Sequence, residues 1–584
     1  MRNKREGQGK WWLLLFAVSM VLAFYSPAYA ATAKADMAFI NGKVLTVDKN
    51  FSVKEAIAVK GDRIMLVGTN RKIQAHIGKN TQVIDLEGKT ILPGINDSHA
   101  HVMSYGTVTL SSLDVGYPVV ENIPEIQAVL AARVAEVPEG QWIRGRGFDP
   151  AYIAECEGIE YNECLNKGQL DAVSPNNPVV FTSWCGHNMW VNSMALELAG
   201  IDASTPDPDG GVIIRDEDGN PTGFLLEKAK NLVSAILPPY TDGEYREGIV
   251  KGIAEMNKNG ITSYTEPGAT PERINNYKEV YDQGKLNARV SVMMTLGSDY
   301  ESLKNGLETY NWPSGCDPKW LRCGGIKIFA DGVPMSETSW MWDPYVSGAY
   351  GSLVIPGVTD EEKVEELTKM IIYSHSQGFQ VGIHATGDRT ITTCVDAYEA
   401  AYKQYSWIKP RRHYIIHGDF TRPEDCWRLA RMGWGINMQP YIQTLIADID
   451  AIVLGPERTA YEWPFRTALD AGIPLTFSSD TSVTYPNWRR GVQSAITREN
   501  MSGTRVSGPD QIISREEAIR AYTINGAWQD FMENKKGSIE ARKLADFCVL
   551  DQDIMTAEAH TLGNINVVMT IVGGKIVYDA SVPE

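Results

Sequence analysis

Apolar positions along the chain follow two rhythms. Short alternating or wholly apolar runs read as strands, and longer stretches with apolar residues every three to four positions read as helices. From residue 36 to 90 the rhythm is that of strands. Met37–Ile40 and Lys43–Val47 flank Asn41-Gly42, and Ala56–Lys60 and Arg63–Gly68 flank Gly61-Asp62. Both dipeptides predict hairpins. The far end repeats the pattern at Ala545–Asp551 and Val567–Tyr578, with Gly573-Gly574 as the turn. Two β segments at opposite ends of a chain can share one small sandwich. Residues 31–90 and 536–584 are therefore assigned to a composite β-sandwich.

Residues 91–535 alternate between the two rhythms. The strand-like runs are Thr90–Ile95, Gly260–Glu266, Arg289–Thr295, Gly325–Phe329, Gln380–His384, Tyr414–His417, Trp434–Met438 and Ile473–Phe477. Helical patterns separate several of them, as at Asp360–Ser376 and Thr390–Tyr405. Eight such units predict an α/β fold of the (β/α)8, or TIM-barrel, class. The stretch from about 112 to 245 exceeds one βα unit and reads as an insertion with its own turns.

The first thirty residues break both rhythms. Arg2, Lys4, Arg5 and Lys10 precede an apolar run from Trp11 to Phe24, and the small residues Ala28 and Ala30 follow. This is the order of a secretory signal peptide. The run falls short of the roughly 20 residues a membrane span needs. The expected protein is exported, periplasmic or secreted, with no lasting membrane association after cleavage. Its net charge of −17 argues against nucleic acid as a partner. The expected partner is a small-molecule substrate, and a homo-oligomer is compatible with the sequence. Among eight cysteines, Cys156/Cys164 and Cys316/Cys323 are close enough to pair, and read equally well as buried thiols. No C-x-x-C spacing points to a cysteine zinc site.

Candidate chemistry gathers at the strand ends, where barrel enzymes place their catalytic groups. His99 and His101 follow the first strand, and residues i and i+2 of an extended segment face one side. His384 ends the fifth strand, His417 ends the sixth, and Asp480 follows the eighth. Imidazoles with a carboxylate suit zinc and related divalent ions. Lys327 lies inside the apolar strand Gly325–Phe329. A buried amine is a nucleophile able to take up CO2 as a carbamate, and the other reading is a lysine that snorkels to Asp331. His187, Glu266 and Trp340 are candidate substrate contacts. Each also has a structural reading: a buried histidine, a rim carboxylate, and a loop packing its own aromatics.

The run Pro93-Gly94-Ile95-Asn96-Asp97-Ser98-His99-Ala100-His101 resembles the opening motif of the amidohydrolase superfamily. The match continues through Lys327, His384, His417 and Asp480. Gly145–Pro150, Gly186-His187-Asn188 and Lys327–Gly332 resemble the branch that contains N-substituted formamide deformylase. In Gly537–Asp546, Arg542 stands where the family usually has Gly. The resemblance implies one or two divalent metals, zinc first among them. His99 and His101 would hold the more buried ion, and His384 and His417 the second. Lys327 would bridge as a carbamate, and Asp480 would touch metal and act as the catalytic acid–base. It implies hydrolysis of a carbon–nitrogen bond other than a peptide bond, such as an amide or an N-substituted formamide. The competing readings are a lactone or ester hydrolase or a deaminase on the same site, and a non-catalytic exported binding protein.

Overall fold

The computed structural model describes residues 33–582, apart from 161, 162, 184, 185, 187, 209, 409 and 410. The expected leader over 1–30 lies outside the described residues.

At the centre is an eight-stranded parallel sheet: β1 (Ile95–Asp97), β2 (Ile261–Ala269), β3 (Arg289–Met294), β4 (Leu321–Phe329), β5 (Val381–Ala385), β6 (Tyr414–His417), β7 (Gly435–Met438) and β8 (Leu475–Phe477), in sequence order across the sheet. Backbone bonds from β8 reach the segment after β1: Ser98 N donates to Phe477 O at 3.4 Å and Asp480 N to His99 O at 2.9 Å. The sheet thus curls into a barrel. Its apolar residues and those of the surrounding helices form the largest core cluster. The helix expected over Asp360–Ser376 has those bounds, with a Thr359/Glu362 capping box at its start.

Two details differ from the sequence reading, and a third decides a point it left open. The run at 90–95 splits into two strands. Thr90–Pro93 pairs with Phe547–Leu550, and only Ile95–Asp97 enters the barrel. Gly94 makes the transfer, where a Cβ would lie 2.2 Å from Thr262 Oγ1. The Asn41-Gly42 turn does not close a hairpin. Met37–Ile40 pairs with Ala56–Lys60, and Lys43–Leu45 pairs with Thr90–Pro93, so the turn passes the chain from one sheet to another. Cys316 and Cys323 are separate free thiols, whereas Cys156 and Cys164 form a disulfide.

The strands of the two chain ends meet in one six-stranded sheet, in which Phe547–Leu550 lies between Val567–Val572 and Thr90–Pro93. This sheet packs on the N-terminal four-stranded sheet, with Phe39 edge-on to Phe547 at 5.6 Å. The buried pair Arg289–Asp546, at 2.7 and 2.8 Å, joins the sandwich to the start of β3. The insertion forms its own six-stranded sheet from Ser112–Asp114 through Pro221–Glu227.

Helix α1 (Val102–Ser111) leaves the barrel directly after His101 and packs on α2 (Asp242–Lys258). The helices touch through glycines: a Cβ on Gly106 would lie 1.9 Å from Gly248 O, and one on Gly252 2.4 Å from Val102 O. Neither backbone can yield without moving its helix. Gly106→Ala is therefore expected to destabilise the protein by about 3 kcal/mol or more. Gly243→Ala on α2, where the nearest atom is 3.7 Å away, should be neutral or slightly stabilising. Equal urea midpoints for the two variants would refute the close-packing account.

Candidate metal centre

The histidine pair is placed by the lacing of β1 to β8. Asp97, at the end of β1, accepts from Ser479 N at 2.9 Å and from Ser479 Oγ at 2.6 Å. Burial pushes its carboxyl up to about 7, against the pull of those bonds. One residue on, Asp480 Oδ1 lies 3.4 Å from His99 Nε2 and 3.5 Å from His101 Nε2. One ligand atom from each of the three residues falls within 4.8 Å of the others, close enough for a single ion.

β4, β5 and β6 bring Lys327, His384 and His417 to the same rim. The His417 ring is 5.6 Å from that of His99 and 4.5 Å from that of His384. His384 Nε2 is 2.9 Å from Gly332 O, and His417 Nδ1 is 2.7 Å from Gln439 Oε1. A ring nitrogen facing an acceptor carries the proton, so His384 keeps Nδ1 and His417 keeps Nε2 as free lone pairs. Gln439 is itself oriented by donating to Asn437 Oδ1 and Ser478 Oγ, each at 2.8 Å. Burial holds His99 and His417 well below the usual imidazole range. Burial, aided by the Lys327 charge, pushes His384 down to about 4. All three imidazoles are neutral at pH 7, the form that ligates a cation.

Lys327 is buried, and burial pushes its amine down to about 7 against the opposing charge of Asp480. Its Nζ has no hydrogen-bond partner among the described residues. Asp331, the partner of the snorkelling reading, accepts instead from Thr386 N, Gly387 N and Trp340 N. Asp480 Oδ1 is likewise buried with no hydrogen bond among the described residues. Buried polar atoms left without hydrogen bonds are costly, and a bound cation satisfies a carboxylate oxygen so placed. The donor set of imidazoles and a carboxylate fits a zinc-like ion. His417 and Asp480 also hold left-handed backbone, φ +75° and +54°. For non-glycine residues that is the kind of strain found at functional sites.

Of the other expected contacts, Glu266 and Trp340 are taken up in packing. His187 lies outside the described residues. Glu266 sits beneath the rim, buried, accepting from Met103 N at 3.1 Å and Tyr277 Oη at 2.5 Å. Unpaired N–H groups of a helix start attract a carboxylate, so Glu266 anchors the first turn of α1 beside His101 rather than meeting substrate. Trp340 is only 3% exposed and packs under Arg389, whose guanidinium carbon is 3.8 Å from the ring centre. Its packing partners thus lie on the helix that follows β5 and in the barrel core. Asp97 and Gln439 escaped the sequence reading. Asp97 stands inside the quoted motif, and Gln439 follows β7 at the rim, a position that could have drawn notice.

A parallel barrel with imidazoles, a carboxylate and a desolvated lysine at its C-terminal rim defines the class: a metal-dependent hydrolase. The amidohydrolase family model matches residues 82–578, so the chain belongs to the amidohydrolase family. As a member it is an enzyme that hydrolyses carbon–nitrogen bonds other than peptide bonds. It is 29% identical to the N-substituted formamide deformylase of Arthrobacter pascens, over 94% of this chain and 99% of that protein. It is 28% identical to Protein LONG AFTER FAR-RED 3 of Arabidopsis thaliana, over 93% of this chain and 92% of that protein. An uncharacterized metal-dependent hydrolase from Pyrococcus furiosus superposes with a TM-score of 0.70 at 22% identity, covering 89% of this chain and all of that one. That likeness concerns the fold.

Proposed function

We propose that this chain hydrolyses an amide, with an N-substituted formamide as the leading substrate type, and does so with one or two zinc-like ions held at the rim. The observation that carries the reading is the convergence of His99, His101 and Asp480 within ligand distance of one another, beside the unpartnered amine of Lys327. The relative named as a formamide deformylase, matched along nearly its whole length, supports the substrate type.

His99 and His101 would hold one ion, and His384 and His417 a second. Lys327 would join the two: its neutral amine adds to the carbon of CO2, an N–C bond forms and one proton leaves, giving an anionic carbamate. When bound, a divalent cation acidifies water toward neutrality and polarises a carbonyl. Asp480, poised against both histidines, takes the proton of the attacking water and returns it to the leaving nitrogen. Gln439 and the Gly332 carbonyl keep two imidazoles in the ligating tautomer. Asp97 holds Asp480 in register with His99.

The disulfide Cys156–Cys164 supports an oxidising compartment, so export to the periplasm or medium is part of the reading. The test is metal analysis of the purified protein, followed by assays on N-substituted formamides, other amides, lactones and aminopurines. Stoichiometric zinc and turnover of amides are expected. Protein that takes up no metal after refolding with zinc, or that turns over lactones or aminopurines alone, overturns the proposal.

A further inference from the structure

One large apolar side chain stands where the chemistry does. Phe329 is two residues beyond Lys327 on β4, and alternation along a strand turns both to the inner face of the barrel. Its ring centre is 4.6 Å from Lys327 Nζ and 5.8 Å from the His384 ring centre. Opposite stands Gly268, at the end of β2, in left-handed backbone with φ +79°. A Cβ built there would meet Thr295 Oγ1 first, at 3.1 Å, and would touch Phe329 Cε2 and Lys327 Cγ at 3.9 Å each, so the glycine leaves that space beside the ring open. Phe329 is nonetheless 44% exposed.

Scattered apolar side chains on an outer surface call for no explanation. This one differs by position. Its neighbours Lys327 and His384 are the groups assigned to the reaction, and both are far more buried than Phe329. A phenyl face left open beside a cluster of polar ligands is the usual make-up of a ligand pocket: apolar walls around a few placed polar groups. His101, at 31% side-chain exposure, marks the approach to the same cluster.

Resting on the amide-hydrolase reading, we infer that Phe329 is a specificity-determining residue. Its open face receives a planar apolar group next to the scissile bond, while Gly268 keeps the space beside the ring clear. Substrates with a flat hydrocarbon substituent gain offset or edge-on contact with the ring, and small or charged ones do not. Ring contact adds binding energy without touching the proton transfers, so its signature is a preference between substrates rather than a uniform loss of rate.

The experiment compares matched amides bearing methyl or phenyl beside the scissile bond. Wild-type enzyme is expected to favour phenyl, and Phe329→Ala to shrink the phenyl-to-methyl ratio of kcat/KM by about tenfold. Taking the ratio within one variant cancels any general damage to the neighbouring Lys327. Phe329→Leu, nearer in volume, should give a smaller loss in the same direction and serves if the alanine variant fails to fold. A second readout is benzamide binding to metal-free protein by calorimetry, expected to weaken about tenfold in Phe329→Ala. An unchanged ratio, or equal benzamide affinity in both proteins, overturns the inference. If wild-type protein cleaves no amide, the functional reading falls, and the benzamide arm still decides the role of Phe329.

Discussion

Asp480→Asn is expected to lower kcat by about 10²–10⁴-fold, the usual worth of a positioned general acid–base, with KM close to wild type. The amide is nearly isosteric but can no longer take up a proton. Asp480 N still donates to His99 O, so the lacing of β8 to β1 survives the change. His99, His101, His384 and His417 remain as nitrogen donors, and metal content should fall much less than activity. Single-turnover rates with metal analysis on the same sample make the check. Activity within a few-fold of wild type would remove Asp480 from proton transfer.

Lys327→Met should separate activity from stability in opposite directions. The amine is buried and has no hydrogen-bond partner among the described residues. A polar group in that state costs about 1–3 kcal/mol relative to a satisfied one. Methionine fills similar volume with apolar atoms, so the metal-free variant is expected to unfold at higher denaturant than metal-free wild type. The same change removes the group proposed to join two ions. Metal content should drop, and activity should fall by more than the roughly 10–100-fold that loss of an outer partner costs. A Lys327→Met enzyme with full metal content and activity would refute the bridging role, and a less stable variant would refute the desolvation account.

The parts of the fold legible in the sequence were those with strong periodicity. The barrel strands from β2 to β8 and the Asp360–Ser376 helix declare themselves in apolar pattern and caps. The split at Gly94 carried only the turn dipeptide Pro93-Gly94, and strand partners alone show that two sheets meet there. Asn41-Gly42 misled for the same reason: a turn dipeptide specifies local backbone and says nothing of which strand lies alongside. The six proposed ligands were legible because they are histidines, one carboxylate and one lysine at strand ends. The groups that orient them were harder to see. Gln439 works through a side-chain chain to Asn437 and Ser478, and Asp97 through contact with a residue 382 positions away. Glu266 lies within β2, which runs on to Ala269, and the Met103 amide and the Tyr277 hydroxyl engage its carboxyl.

The strand Thr90–Pro93 leads straight into the His99 turn, and its neighbour in the sheet is Phe547–Leu550. Ribosomal synthesis delivers these two strands at opposite ends of the process. The first histidines emerge early, but the sheet edge that steadies their approach stays unmatched until the last segment is made. A polypeptide clipped before Phe547 would carry every proposed ligand without the neighbouring strand that steadies their approach.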